Sequence, residues 1–221
     1  MKYISAILLI LFASSLVLAQ NEQAPIVEKE IKYKDWTYKS VRTGEDQNLR
    51  DYTIGKKLVM VVYFAPWCHN WRHDAPILRK LYDKYQSDGL GIIAVGLYDS
   101  VEAMQANLDA LNISFPVVYE SADRESRQTS LHYKYRRSTG DERKWGSPWY
   151  IFLAPAKVAK KGDTLTKKTF VINGEIIEAE GERFIRTQLG LTPLETKVGI
   201  KRNREIEVCD PDKPALELIK P

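Results

Sequence analysis

One stretch of this 221-residue chain decides its fold: Tyr63-Phe64-Ala65-Pro66-Trp67-Cys68-His69-Asn70-Trp71-Arg72-His73-Asp74-Ala75-Pro76. A continuous β-branched and aromatic run, residues 57–64, leads into it and is typical of a strand buried on both faces. From Pro76 onward, apolar residues recur at helical spacing. Cys68 therefore lies where a buried strand turns into a helix. There the free amides and the helix dipole stabilise a thiolate and lower the pKa of the thiol, which suits a nucleophile, whereas a cysteine inside a strand would be inert.

Strand-like and helix-like segments alternate along the rest of the chain. In order they are a strand at 91–97, a helix at 101–111 capped by Asp99 or Ser100, a strand at 115–119, a polar helical segment at 123–137, a strand at 149–153, and a short helix at 184–189. Asn173-Gly174 is a strong hairpin signal and predicts that 169–172 pairs with 175–178. The predicted fold class is α/β, with a central mixed β-sheet flanked by helices.

Composition narrows the function classes. With 44% apolar and 28% charged residues the chain can fill a core, and the balance of 33 basic against 29 acidic residues lacks the strong positive field of a nucleic-acid binder. Two cysteines, Cys68 and Cys209, are too few for a disulfide scaffold or a cysteine-based zinc site. His69 and His73 are four residues apart, but no acidic or cysteine partner stands at a recognised spacing. We expect neither a metal nor a cofactor.

The two ends of the chain differ from the middle. Residues 1–19 combine a positive start, an apolar stretch and small residues before Gln20, which predicts a cleaved signal peptide. The apolar run is too short to span a bilayer, so we expect an exported protein, periplasmic or secreted, without stable membrane insertion after cleavage. Residues 20–34 are predicted to be an extended lead-in, 35–191 the domain, and 192–221 a charged, proline-containing tail.

Four features follow one another in the order of a known family. They are Asp35-Trp36-Thr37-Tyr38 with Leu49-Arg50-Asp51-Tyr52, then Trp67-Cys68 with Pro76 downstream, then Phe115-Pro116-Val117-Val118, then Gly146-Ser147-Pro148. They resemble the exported TlpA-like and ResA-like thiol-disulfide oxidoreductases of the thioredoxin-like superfamily. The resemblance covers about 35–191. It implies a thioredoxin-like fold with an N-terminal hairpin, a central insertion and a cis-proline loop at Ser147-Pro148.

The same resemblance assigns a redox site. It implies that Cys68 is catalytic and that Asp99 stands near it, unless Asp99 only caps the next helix. The residues expected to surround the cysteine are Trp67, His69, Asn70, Trp71, Ser147 and Pro148. In the family pattern a second cysteine stands three positions after the first, where this chain has Trp71, and the buried acid of classical thioredoxins is replaced by Val62. A mixed disulfide on Cys68 would then need an outside thiol or Cys209 to resolve it.

Three functions compete. The first is a thiol-disulfide oxidoreductase, or monothiol exchange through Cys68, with protein or small-molecule thiols and disulfides as partners. The second is a thiol peroxidase in which Cys68 attacks peroxide and Cys209 resolves it, although the peroxiredoxin approach to the cysteine is not present. The third is a binding domain that kept the fold without turnover. The sequence leaves open whether Cys68 and Cys209 pair.

Overall fold

The computed structural model describes residues 22–193 and Cys209. The predicted signal peptide and most of the predicted tail lie outside these described residues. Within them, no helix combines the length and the apolar character that a membrane crossing requires.

An eight-stranded mixed sheet forms the centre of the molecule, with strand order β2-β9-β8-β5-β6-β7-β3-β4. The strands are β1 Gln23–Ala24, β2 Val27–Lys34, β3 Thr37–Ser40, β4 Asp46–Asn48, β5 Leu58–Phe64, β6 Leu90–Gly96, β7 Val117–Tyr119, β8 Trp149–Leu153, β9 Thr164–Ile172 and β10 Glu175–Ile176. The α-helices are α1 Leu49–Thr53, α2 His69–Tyr85, α3 Val101–Ala110, α4 Leu131–Ser138 and α5 Glu178–Leu189. The predicted α/β class with a mixed sheet is confirmed.

The two strands at the centre of the sheet, β5 and β6, are buried along their whole length, as their apolar runs predict. They pair in parallel from Leu58 opposite Leu90 to Phe64 opposite Gly96. On the other side β5 pairs antiparallel with β8, so that Tyr63 stands opposite Trp149. The end of β5 and the start of β8 therefore lie at the same edge of the sheet, where Cys68 and Pro148 follow and precede them.

The predicted N-terminal hairpin is β3 paired antiparallel with β4. By contrast, the region 20–34 is more than a lead-in, because β2 pairs antiparallel with β9 inside the main sheet. Four charged residues of β2 are exposed, Glu28, Glu30, Lys32 and Lys34, whereas Ile31 and Tyr33 are buried. The Tyr33 and Tyr63 hydroxyls form a hydrogen bond of 2.8 Å. Because the segment is highly charged, its alternation of buried and exposed residues was not recognised as a strand in the sequence.

The hairpin predicted at Asn173-Gly174 is wrong. β10 pairs in parallel with β1, not with β9. A two-residue hairpin of the Asn-Gly type needs positive φ at both residues, and neither Asn173 nor Gly174 has it. Instead, the Asn173 side chain is held by Trp149 and Thr139. Gly174 is required by close packing, since a Cβ there would meet the Glu22 carbonyl oxygen at 1.9 Å.

Candidate active site

Cys68 is the N-cap residue of α2, three residues beyond the turn that begins at Ala65. Its N–H donates to the Ala65 carbonyl at 2.9 Å, and its own carbonyl accepts from Arg72 at 3.3 Å. The Cys68 side chain makes no capping hydrogen bond. The sulfur thus lies at the N-terminal end of a helix of 17 residues, where the helix dipole favours negative charge.

The structure answers the question that the sequence leaves open, because Cys68 and Cys209 form a disulfide. Their Cα atoms are 4.9 Å apart although 141 positions separate them along the chain. The Cys68 side chain is fully buried, and Cys209 is 7% exposed. Both cysteines of the disulfide are therefore buried.

Ser147 and Pro148 pack against the disulfide through their backbone. The peptide bond between them is cis. The Ser147 carbonyl oxygen lies 3.2 Å from Sγ of Cys68 and 3.6 Å from Sγ of Cys209. The Ser147 hydroxyl accepts from the Ala65 N–H at 2.9 Å, which ties this loop to the turn before α2. The two loops that frame the sulfurs are thus fixed to each other.

Arg143 belongs to a basic run, made of Lys134, Arg136, Arg137, Arg143 and Lys144. From its sequence this run is interpreted as a solvated helix face and loop, with a patch that attracts an anionic substrate or favours the thiolate as the alternative. The Arg143 guanidinium donates to Asp141 at 2.7 and 3.0 Å, to Glu22 at 3.0 Å, and to the Pro148 and Ser147 carbonyls at 2.8 and 3.4 Å. Burial opposes its charge, but the hydrogen bonds and charges of Asp141 and Glu22 outweigh burial and raise the pKa of Arg143. A permanent cation therefore underlies the loop that contacts both sulfurs.

Lys134, Arg137 and Lys144 of this basic run are exposed, as the solvated interpretation predicts, whereas Arg136 is not. Arg136 is fully buried and donates to the carbonyls of Asp141, Arg143 and Lys144. These bonds hold the loop that leads to Ser147. A sequence signal for this role is Asp141, an acidic residue in the middle of the basic run, which pairs with both arginines.

Asn70 joins the same network, since its side-chain amide donates to Glu22. Glu22 therefore links the N-terminal end of the described chain to α2 and to Arg143. Trp67 and His69 flank Cys68 and are both partly exposed. Trp67, His69, Asn70, Ser147 and Pro148 thus all belong to the two loops and the helix end that meet at Cys68.

Trp71 has a different environment. It is fully buried, stacks on Phe64 with ring centroids 4.3 Å apart, and donates from Nε1 to Asn107 Oδ1 at 2.8 Å. Asn107 also donates to the Pro66 carbonyl at 3.0 Å. Trp71 therefore connects α2 with α3 and, through Asn107, supports the turn before Cys68.

Asp99 is not hydrogen-bonded to either sulfur in the described part of the chain. Its carboxylate accepts from the Ser100 N–H at 2.8 Å, and Ser100 is the N-cap of α3 through its bond from the Ala103 N–H at 3.1 Å. These contacts support the helix-capping alternative for Asp99. A direct role in catalysis remains a prediction that no contact supports.

His132 is a second buried residue that the sequence analysis did not assign. It lies 3.1 Å through Nε2 from the Gly146 carbonyl, and 2.8 Å through Nδ1 from the Tyr98 hydroxyl. Burial lowers the pKa of His132 well below its usual range, so the ring is neutral. Nε2 then donates to Gly146 and Nδ1 accepts from Tyr98. The ring fixes the residue immediately before Ser147.

Among residues 22–193 and Cys209, one cluster of side chains could hold a metal ion. The ligand atoms of His73, Asp74 and Glu175 lie within 4.8 Å of one another. In the structure Asp74 accepts from His73 and from the Ile176 N–H, each at 2.9 Å, and from Tyr150. Burial raises the pKa of Asp74. The sequence analysis did not find this cluster, because Glu175 is far from His73 along the chain and only the fold brings the two side chains together.

The chain is similar to curated proteins over about half of its own length. It is 27% identical over 120 residues to the thiol-disulfide oxidoreductase ResA of Oceanobacillus iheyensis, covering 52% of this chain and 62% of that relative. It is 26% identical over 126 residues to the thioredoxin-like protein YneN of Bacillus subtilis, covering 54% of this chain and 72% of that relative.

Solved structures agree on the fold. A thiol:disulfide interchange protein of the thioredoxin family from Chlorobium tepidum has a TM-score of 0.52 at 17% identity, covering 73% of this chain and 98% of that one. A thiol:disulfide interchange protein from Bacteroides sp. has a TM-score of 0.52 at 15% identity, covering 76% and 92%. The predicted thioredoxin-like fold is confirmed. The AhpC/TSA family pattern matches residues 28–178, more than half of the chain, and the chain therefore belongs to the AhpC/TSA family of thioredoxin-like proteins.

Proposed function

We propose that this chain is a thiol-disulfide oxidoreductase whose redox centre is the Cys68–Cys209 pair. The observation that carries the proposal is the position of this disulfide, at the N-terminal end of α2 and against the Ser147 carbonyl. Cys209 supplies from a distant part of the chain the second thiol that Trp71 replaces locally. The curated relatives named ResA support the same chemistry.

The reduced pair would pass two electrons to a substrate disulfide in two exchanges. In the first, the Cys68 thiolate attacks one substrate sulfur, the substrate S–S bond breaks, and the other substrate sulfur leaves as a thiolate that takes up a proton. In the second, the Cys209 thiolate attacks Sγ of Cys68 and the remaining substrate sulfur leaves. The substrate is then reduced, and the protein carries the disulfide seen in the structure. A dithiol reductant would restore the reduced pair.

The geometry favours Cys68 as the attacking residue. It lies at the helix N-terminus, where partial positive charge stabilises its thiolate, and the Arg143 cation lies behind the loop that it contacts. We also propose that the protein works outside the cytoplasm, because a stable disulfide needs an oxidising compartment and residues 1–19 have the pattern of a signal peptide.

The test uses wild-type protein with Cys209→Ser and Cys68→Ser as matched variants. We expect the wild type to reduce insulin in the presence of a dithiol, Cys209→Ser to accumulate mixed disulfides detectable by mass spectrometry, and Cys68→Ser to do neither. A native disulfide that dithiols cannot reduce would show a structural bond instead. Peroxide consumption that far exceeds disulfide reduction would favour the thiol peroxidase alternative.

A further inference from the structure

Two tryptophans lie beside the disulfide on the surface of the protein. Trp67 immediately precedes Cys68, and Trp145 is two residues before Ser147. Their rings meet edge to face with centroids 5.1 Å apart, and both are partly exposed. Each of the two loops that frame the sulfurs thus contributes one ring to a shared surface.

Cations cover this pair of rings. The guanidinium of Arg127 lies 4.8 Å from the Trp145 centroid and the Lys144 ammonium 5.5 Å from it, while the Arg124 guanidinium lies 5.5 Å from the Trp67 centroid. We call Trp67, Trp145, Arg124, Arg127 and Lys144 the tryptophan–cation surface. Across residues 22–193 and Cys209, neither Arg127 nor Lys144 forms an ion pair with a carboxylate. Cations held on aromatic rings present both charge and apolar area to a ligand.

A small cavity connects this surface to the disulfide. Its lining includes Lys144 and Trp145 of this surface, Ser147 and Cys209 of the disulfide site, and Glu22, whose carboxylate is paired with Arg143 at 3.0 Å. A polypeptide that approaches Cys209 through this cavity contacts Lys144 and Trp145 of the tryptophan–cation surface. The charge of that surface must then influence which polypeptides exchange with the disulfide.

The chain's own sequence around Cys209 has the complementary charge. Residues 205–212 read Glu205-Ile206-Glu207-Val208-Cys209-Asp210-Pro211-Asp212, with four carboxylates and no basic residue. The cysteine that bonds to Cys68 thus belongs to an acidic stretch in a protein whose net charge is +4. A partner cysteine that forms a mixed disulfide with Cys68 must take the place that Cys209 holds in the oxidised protein.

We propose that the tryptophan–cation surface binds an acidic polypeptide segment that carries the reactive cysteine of a partner protein. This inference rests on the proposed function and adds its substrate class, an extended segment with carboxylates within a few residues of the cysteine. The Ser147 carbonyl positions the sulfur, and Arg127 and Lys144 select the flanking charge. Charge complementarity of this kind acts mainly on the rate of association and weakens with added salt.

The experiment compares two disulfide-activated peptides on the full chain with Cys209→Ser. One has the order Glu-Ile-Glu-Val-Cys-Asp-Pro-Asp, and the other has lysine in place of each carboxylate. We expect the acidic peptide to form the mixed disulfide with Cys68 roughly tenfold faster at low salt, and the ratio to fall as salt is added. The double change Arg127→Glu with Lys144→Glu should abolish or reverse the preference.

The matched control is Lys160→Glu with Lys161→Glu, which changes the net charge equally. These exposed lysines follow β8 and lie at the opposite end of the sheet from the disulfide. The control should keep the preference for the acidic peptide. Equal rates for the two peptides, a preference that survives Arg127→Glu with Lys144→Glu, or a preference lost equally in the control would each overturn the proposal.

Two further measurements separate this inference from the proposed function. Exchange with the uncharged hydroxyethyl disulfide reports the thiol chemistry alone. If this exchange does not occur, the proposed oxidoreductase function is contradicted, and the tryptophan–cation surface is then tested by peptide binding. Binding of the acidic peptide with serine in place of cysteine is followed by tryptophan fluorescence. Saturable binding of this peptide that is lost in Arg127→Glu with Lys144→Glu supports the surface, and no binding beyond that of the lysine peptide refutes it.

Discussion

Trp71 occupies a position whose residue decides which cysteine can pair with Cys68. At the position where the resemblance implies a second cysteine, the chain places a large buried ring that stacks on Phe64 and donates to Asn107. A thiol there would lie in the core. The partner of Cys68 is instead Cys209, which stands 141 positions away along the chain. The replacement of the local cysteine by Trp71 and the bond from Cys68 to the distant Cys209 therefore go together.

We predict that Trp71→Phe costs about 1–3 kcal/mol of unfolding free energy in the oxidised protein, because Asn107 Oδ1 loses its buried donor. Trp71→Ala should cost about 3–5 kcal/mol, since it also leaves a cavity beside Phe64. Urea unfolding measures both. The double variant Trp71→Phe with Asn107→Ala isolates the hydrogen bond in a double-mutant cycle, and a coupling energy near zero would contradict its importance.

The sequence predicts the position of Cys68 from local signals alone, because a buried strand and a helix meet there. It does not predict Arg143 or His132, since their roles depend on loops that only the fold brings together. It also leaves the fate of Cys209 open. The stretch around Cys209 has no apolar periodicity to show which surface it contacts.

At the scale of elements, α4 has a titratable group at its N-terminal end. The Glu120 carboxylate accepts from the Leu131 and His132 N–H groups. Burial raises the pKa of Glu120 to about 7, although these two hydrogen bonds act to lower it. The folded protein thus binds this proton more tightly than the unfolded chain does. The stability contributed by the neutral form is complete below about pH 4.5 and is lost as the pH rises through 7.

We predict that Glu120→Gln is more stable than the wild type at pH 8, by about 1–3 kcal/mol, because the amide keeps an acceptor for α4 without a buried charge. Near pH 4 the two proteins should differ little. Urea midpoints of both proteins between pH 4 and 8 measure the difference in their stability. Both proteins contain His132, so its titration largely cancels from this difference. A difference that does not change with pH would show that Glu120 titrates normally.

Elements with a strong local pattern are predicted closely. β8 spans Trp149–Leu153 as predicted, and Ser100 is one of the two caps expected for α3. The pairing of β10 is not predicted, because Asn173-Gly174 carries a hairpin signal that side-chain bonds from Thr139 and Trp149 override. Local turn preference is weak compared with several tertiary hydrogen bonds.

At the scale of the molecule, the disulfide closes a loop of 141 residues that contains four of the eight strands of the main sheet, β6 to β9. Crosslinking so long a loop reduces the entropy of the unfolded chain by an amount equivalent to about 5 kcal/mol in the chain-entropy model. The oxidised and reduced forms should therefore differ in stability more than in fold.

We predict that reduction lowers the unfolding free energy by about 2–5 kcal/mol, with Cys209→Ser giving the same result without reductant. Urea titrations of the oxidised, reduced and substituted proteins, followed by circular dichroism, measure this change. Adding reductant to Cys209→Ser is the control and should have no effect. Equal midpoints for oxidised and reduced wild type would contradict the prediction.

The place of Cys209 in chain order has a consequence for proteolysis. Because it follows α5, a protease that cuts once between positions 193 and 209 would separate it from the domain in sequence but not in space. The cut piece would stay attached through sulfur until the next reduction and then diffuse away. Cys68 would be left for good without an internal partner. The fraction of chains that lack the C-terminal piece would then equal the fraction of molecules that had been reduced after cleavage.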